Sequence, residues 1–253
     1  MPRYRWYHYA VALAILALAW EGLAIWLNIW RGVAAFPRLG PALASFAEGV
    51  GPGGPLPKHF LASAYRVLCS TLISLAAGVP LGLYLGRSGG PVGSVLVYLT
   101  YPVPKVVFLP VIMVVLGIGD ESKIFLITLV IFFQILVTVK DAAASVPRGL
   151  IRSVQSLGGS EWQIYRHVIL PGTLPAIFTA LRLSTGTAVA VLFFAETYAT
   201  REGLGSFVWD AWSMHAYDMM FAGVMAMALM GFGFYVLLDA AERLLCPWAE
   251  GQR

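Results

Sequence analysis

Five charged side chains lie within long apolar stretches of this sequence, where a charge is costly. At the centre of a membrane helix each costs at least about 2.5 to 3.5 kcal/mol on insertion scales, so such residues commonly line a substrate or ion pathway or pair with one another. Arg66 and Arg182 are close enough to the ends of their stretches to reach water by snorkelling, and Glu196 could serve an interface or a gate. The five residues are Glu21, Arg66, Lys105, Arg182 and Glu196.

Lys105 follows two prolines that interrupt an apolar stretch. Pro102 and Pro104 remove backbone donors and leave carbonyl groups that need other partners. In a membrane, broken backbone is tolerated where it is buried in protein or lines a cavity. Lys105 could therefore line a transport pathway together with these prolines, or it could hold a structural partner, either Glu21 or a backbone carbonyl.

A polar, helix-prone segment between two apolar regions is the second candidate site. Gly158 would let two short helices meet at a sharp angle, and Leu170–Pro171 would end the second helix while the proline ring fits the first turn of the next one. Glu161, Trp162 and Tyr165 lie between these points. They could contact a partner protein, or they could form a solvated or membrane-skimming amphipathic helix.

Enzymatic chemistry has little support in the sequence. No glycine is followed by lysine, so a phosphate-binding P-loop is absent, and no Ser, His and Asp set would meet at one membrane depth. The histidines are far apart and lack ligand spacing, so we expect no metal and no cofactor. Cys69 and Cys246 are expected to be buried free thiols rather than a disulfide framework.

The composition is that of a membrane protein. Of the 253 residues, 59% are hydrophobic and 12% are charged, against about 25% charged in soluble domains, and the mean hydropathy is +0.77. Six helices of roughly 20 to 25 residues leave no room for a soluble domain, so we predict an all-α membrane protein with about six transmembrane helices in one domain, 1–253. The predicted spans are 8–30, 60–86, 92–118, 124–139, 172–198 and 218–241, with a loop at 140–171.

The distribution of Lys and Arg predicts the orientation. Basic residues outside the spans are more numerous on the side of both termini and the 140–171 loop, and the positive-inside rule places that side in the cytoplasm. The 199–216 loop would then face outward. In the second span, Gly78, Gly82 and Gly86 recur every four residues, a pattern that lets helix backbones approach closely.

The polar segment resembles the coupling-helix loop, or EAA loop, of ABC importer permeases. The resemblance rests on the spacing Gly158, nine residues, Val168, one residue, Leu170–Pro171, while the Glu-Ala-Ala that names the loop is replaced here by Arg152, Ser153 and Val154. Further segments are similar to permeases of the nitrate, sulfonate and taurine importer subfamily. They include Tyr101-Pro102-Val103-Pro104-Lys105, Leu116-Gly117-Ile118-Gly119 and Gly203-Leu204-Gly205.

The resemblance implies partners and a function. A homodimer of this chain in the cell inner membrane would form an alternating-access path, supplied by an extracytoplasmic substrate-binding protein. Two separate ATPase subunits would bind the ATP and dock onto the coupling loop, at Gly158, Glu161, Trp162, Tyr165 and Leu170–Pro171. The chain would not itself be an enzyme.

The substrate and the class of transporter have alternatives. Three basic residues in the predicted spans outnumber two acidic ones, and a water-filled path with that excess would favour an anion, as nitrate, sulfonates and taurine would require. Related members import neutral or cationic heterocycles, so that substrate class stays open. A stand-alone secondary transporter or channel and an intramembrane enzyme are the rivals from other classes, although the lack of an internal repeat weakens the former.

Overall fold

The computed structural model describes residues 6–31, 36–87, 90–198 and 200–248, and these residues are mostly helical. The predicted all-α fold is confirmed, since no strand occurs among the described residues. A 3-10 turn, Lys105–Phe108, precedes α5, and a π-helical turn, Tyr165–Ile169, precedes α9. The α-helices are α1 Trp6–Arg31, α2 Leu39–Val50, α3 Leu56–Arg87, α4 Pro91–Thr100, α5 Leu109–Leu116, α6 Asp120–Ala144, α7 Arg148–Ser156, α8 Glu161–Ile164, α9 Leu170–Thr197, α10 Leu204–Ser213 and α11 Tyr217–Leu245.

The number of membrane-length helices agrees with the prediction. Among the described residues, five helices are long and apolar enough to cross a membrane, and a sixth span results if one bent pair counts as one. The pair is Val92–Thr100 and Lys105–Leu116, and it is bent by 74°. Pro102 and Pro104 lie at the bend, where their missing N–H groups interrupt the helical hydrogen bonds.

Several helices extend beyond the predicted spans. Helix α6 covers Asp120–Ala144 rather than 124–139, and α3 begins at Leu56 rather than at 60. Hydropathy detects only the apolar middle of a helix, whereas the polar ends stay helical because their backbone groups remain hydrogen-bonded within the helix. The 140–171 loop therefore begins with the last turn of α6 and contains α7 and α8.

The chain divides into two compact units. One unit contains 1–63 and 196–230, and the other contains 64–195 and 231–252. The single domain predicted for 1–253 stays a prediction, because units defined by backbone contacts can belong to one membrane domain.

The core of the second unit includes the 140–171 loop. Ile151 of α7, Ile164 of α8 and Ile169 of the π-helical turn are buried in one cluster with Ile135 and Val139 of α6. Fully burying such a side chain contributes about 1.5 to 3 kcal/mol. The loop is therefore anchored by its own apolar residues.

The glycine repeat of α3 lets α3 and α6 pack backbone to backbone, as predicted. A Cβ placed on Gly82 would lie 2.8 Å from the Cβ of Val139, and one placed on Gly86 would overlap the carbonyl oxygen of Lys140. Gly78 faces the same helix. Only glycine permits this approach.

Candidate functional site

Helices α7 and α8 meet at a glycine with positive φ. Gly158 has φ +77°, a left-handed conformation that glycine adopts without strain. The N–H of Gly158 donates to the carbonyl of Gln155 at 3.0 Å, and the N–H of Gly159 donates to that of Val154 at 2.9 Å. These bonds satisfy the carbonyl end of α7, so the predicted turn at Gly158 is confirmed.

Helix α8 begins with a reciprocal cap. The N–H of Ser160 donates to Oε1 of Gln163 at 2.7 Å, and the N–H of Gln163 donates to Oγ of Ser160 at 3.4 Å, which is a capping box. The next residue, Glu161, accepts from Nη2 of Arg87 at 3.2 Å, so it joins the end of α3 to α8. Glu161 therefore has a partner within the chain, which the sequence did not reveal.

The prediction that Leu170–Pro171 ends the second short helix is wrong. The N–H of Leu170 donates to the carbonyl of Tyr165, five residues earlier, and the chain passes through this π-helical turn directly into α9. In a regular helix a proline ring clashes with the carbonyl four residues earlier, and the wider turn before Pro171 relieves that clash. Pro171 does lie in the first turn of the following helix, as predicted.

Two exposed apolar side chains flank the Gly158 turn. Trp162 is 71% exposed and Leu157 is 86% exposed, one on each side of the Gly158 turn. Tyr165, which was grouped with Trp162 as a possible partner contact, instead packs partly buried against the core. Leu157 was not among the predicted contact residues, although a leucine directly before a turn glycine in a polar segment is a signal that could have indicated it.

Lys105 binds the carbonyl groups that the proline break leaves open. Its Nζ donates to the carbonyls of Thr100 and Tyr101 at 2.9 Å each and to that of Val103 at 3.1 Å. The ammonium also lies 4.4 Å from the ring centroid of Phe133, within cation–π range. Of the alternatives for Lys105, a backbone-carbonyl partner is thus confirmed. Glu21, the other proposed partner, is engaged elsewhere.

A second lysine repeats this arrangement one helix later. Nζ of Lys123 donates to the carbonyls of Ile118 and Gly119 at 2.8 and 3.0 Å, beyond the end of α5, and the residue is only 2% exposed. The predicted spans 92–118 and 124–139 left Lys123 in the connection between them. It lies within α6 because that helix begins earlier than the hydropathy indicated.

Both arginines that contribute to the expected positive excess in the spans are paired with acidic residues. Nη2 of Arg66 is 2.6 Å from Oδ1 of Asp120, and Arg182 pairs with Glu242. Both arginine side chains are largely buried, so snorkelling to water does not explain them. Asp120 and Glu242 fell just outside the predicted spans, and the longer helices bring them in.

Glu21 is paired in the first unit. Its carboxylate accepts from Nε of Arg38 and, at 3.1 Å, from the N–H of Leu39. Leu39 is the first residue of α2, so Glu21 caps that helix from α1.

Glu196, near the end of α9, places a buried carboxylate at the start of α10. It accepts from the hydroxyl of Ser63 and from the N–H of Gly205, both at 2.8 Å, while the Ser63 hydroxyl accepts from the N–H of Leu204 at 2.8 Å. A Cβ on Gly203, which has φ +152°, would overlap the carboxylate. The network fixes the first turn of α10, and it includes Ser63, which was not among the predicted site residues.

Membrane-length helices, a span broken at prolines and an anchored loop with an exposed apolar tip define an all-α membrane protein. The model of one family, described as binding-protein-dependent transport system inner membrane component, matches residues 71–250. The chain belongs to this family of transport permeases, and the resemblance drawn from the sequence is confirmed.

Relatives with named substrates extend over most of the chain. The taurine transport system permease protein TauC of Escherichia coli (strain K12) is 34% identical over 240 residues, 89% of this chain and 87% of that protein. The nitrate import permease protein NrtB of Synechocystis sp. is 24% identical over 94% of this chain and 88% of that protein. The riboflavin transport system permease protein RibX of Chloroflexus aurantiacus is 32% identical over 58% of this chain and 54% of that protein.

A solved structure supports the fold. The MetNI methionine ABC transporter in inward-facing conformations matches with a TM-score of 0.63 and 21% identity, over 76% of this chain and 96% of the matched chain.

Proposed function

We propose that two copies of this chain form the alternating-access path of an ABC importer in the inner membrane. Two ATPase subunits bind and hydrolyse the ATP, and an extracytoplasmic binding protein delivers the substrate. The chain itself holds no cofactor and catalyses no reaction. Its role is to convert closure of the ATPase pair into opening and closing of the path.

The loop geometry is the observation that carries this proposal. Ile151 and Ile164 anchor α7 and α8 in the core, while Leu157 and Trp162 project from the turn between them. Two exposed apolar side chains on a rigid support are the anchors that a partner's groove accepts. Since the loop is continuous with α9 through the π-helical turn, a displacement of the loop by the ATPase would pass directly into a membrane-length helix.

The charge distribution supports an orientation. Both termini and the loop that carries α7 and α8 face the cytoplasm, where the ATPase lies, and the 199–216 loop faces outward. The excess of Lys and Arg on the side of the termini supports this placement.

The substrate is a small sulfonate or a related anion. TauC and NrtB are similar to this chain over most of its length, and the substrates in their names support that class. The two arginines in the spans add little to this argument, because Arg66 and Arg182 are paired with Asp120 and Glu242. An uncharged heterocycle is the second candidate, favoured by the similarity to RibX over 58% of the chain.

Reconstitution tests the proposal. The chain is co-expressed with its ATPase and binding protein, and uptake of taurine, nitrate and riboflavin into vesicles is measured with and without ATP. We expect a co-purifying ATPase and ATP-dependent uptake of taurine or nitrate. Uptake by the chain alone would contradict the importer, and uptake of riboflavin alone would contradict the substrate class.

A further inference from the structure

A small polar cavity of about 430 Å³ lies between the end of α9 and α10. This volume is in the range of about 300 to 1,000 Å³ that small-molecule sites occupy. Its wall carries three hydroxyl groups, one guanidinium, one carboxylate and one indole. These belong to Thr197, Thr200, Ser206, Arg201, Asp210 and Trp209, all within the first compact unit.

The wall of this cavity is held by the Glu196 network. Ser206 is buried, and its hydroxyl donates to the carbonyl of Gly203 at 2.9 Å. Gly205, the residue before it, donates its N–H to the buried carboxylate of Glu196. Because these groups are already ordered, a ligand that binds here does not bear the cost of ordering them.

Two opposite charges face the cavity without neutralising each other. Arg201 and Asp210 are both exposed, and neither forms an ion pair with any residue that the structure describes. Their charged atoms are therefore more than 4.0 Å apart, which leaves room between them. This arrangement matches a ligand that carries both charges, and Trp209 adds an aromatic face for a cation.

We propose that this cavity binds a small zwitterionic amino-sulfonate, such as taurine, where it enters the permease. The Arg201 guanidinium donates hydrogen bonds to the sulfonate oxygens, as charge-assisted bonds to oxyanions do. Asp210 and Trp209 hold the ammonium group. The inference rests on the proposed function, because it names the substrate class of that import path.

Uptake kinetics with two probes test the assignment. The reconstituted importer is assayed with taurine and with ethanesulfonate, which has the sulfonate but lacks the amine. Arg201→Gln is expected to raise the KM for both probes by roughly tenfold, the loss of a hydrogen bond to a charged group. Asp210→Asn is expected to raise the KM for taurine only, and Arg201→Lys should recover most of the affinity. Lys58→Gln, which removes an exposed charge paired with Glu202 outside the cavity, is the control.

The outcomes separate the cavity from the importer itself. Unchanged KM values in both cavity variants of a working importer would overturn the assignment and leave the proposed function standing. An equal rise of KM for both probes in Asp210→Asn, with weaker capture of the binding protein, would show that the cavity is a docking surface instead. A wild-type complex that imports no sulfonate at all would contradict the proposed function.

Discussion

The ammonium group of Lys105 takes the place of the backbone donors that Pro102 and Pro104 remove. A broken helix exposes carbonyls to a medium that cannot hydrogen-bond them, and a lysine with three donors satisfies three of them at once. Lys123 does the same beyond α5. At the scale of single residues, Lys105, a candidate for the transport pathway, therefore stabilises the broken backbone.

Replacing Lys105 tests this role. Lys105→Met removes the ammonium donor from three carbonyls, of which that of Thr100 keeps the N–H of Val103, and we expect a loss of about 2 to 3 kcal/mol, seen as a fall of roughly 5 to 10 °C in the apparent Tm of the purified protein. Lys105→Gln should fall between wild type and Lys105→Met and should lower uptake, while Lys105→Arg should lose less. Lys58→Met, at an exposed lysine, is the control. An unchanged Tm in Lys105→Met would show that the capping bonds are not needed.

The thiol of Cys246 should resist labelling. Burial raises the pKa of this thiol above its ordinary value, and the negative charge of Glu242 raises it further. The reactive thiolate is therefore scarce at pH 7 to 8, and the side chain is also inaccessible. We expect maleimide to modify Cys246 much more slowly than a cysteine placed at the exposed Ser153, with the difference lost in denaturant. Equal rates in the native protein would contradict the burial.

At the scale of elements, the sequence predicted the helices well because length and apolarity are local properties. Six spans, the proline break and the close packing of α3 on α6 follow from runs and repeats within one segment. The partners of the buried charges do not follow from such local patterns. Arg66 and Asp120 are 54 residues apart, and Arg182 and Glu242 are 60 apart, so no local pattern connects them. The π-helical turn was missed because proline is compatible both with a helix start and with a widened turn.

The packing of α3 on α6 gives a prediction with an internal control. Gly86→Ala places a Cβ against the Lys140 carbonyl oxygen, so one helix must shift, at a cost of about 1 to 3 kcal/mol. Gly186→Ala in α9 meets nothing within 4 Å and should be neutral or slightly stabilising. Thermal unfolding of the two purified variants should separate them, and equal Tm values would show that α3 and α6 are not packed this closely.

The turn at Gly158 predicts a defect in coupling rather than in folding. A side chain there meets no neighbour, but φ +77° costs an ordinary residue about 1 to 2 kcal/mol and is worse for a β-branched one. Gly158→Val should insert normally, bind less ATPase and import less, whereas Gly158→Asn, which tolerates this conformation, should retain more of both. The measurement is the amount of ATPase that co-purifies with each variant, together with its uptake. Normal binding and uptake in Gly158→Val would remove the turn from the coupling role.

At the scale of the whole molecule, orientation decides which face meets which partner. Single cysteines are placed at Ser153 in α7 and at Ser213 in α10, both exposed, in a background lacking Cys69 and Cys246. Ser213 is preferred within the 199–216 loop because Ser206 is buried. An impermeant thiol reagent added outside intact cells should label the cysteine at 213 and not the one at 153. The reverse pattern would invert the proposed topology.

We expect the lysine at the break to limit ion leakage as well. Unwound backbone carbonyls hold Na⁺ in ion-coupled transporters and replace the water shell of K⁺ in channel filters. In this chain the carbonyls of Thr100, Tyr101 and Val103 already hold a cation, which is tethered and cannot move on. Free alkali ions cannot bind at these carbonyls while the lysine occupies them. We therefore expect the broken helix not to conduct Na⁺ or K⁺ along their gradients. Vesicles containing Lys105→Met should therefore pass Na⁺ faster than vesicles containing wild type or Lys105→Arg, and equal fluxes would show that the tethered charge plays no part in the seal.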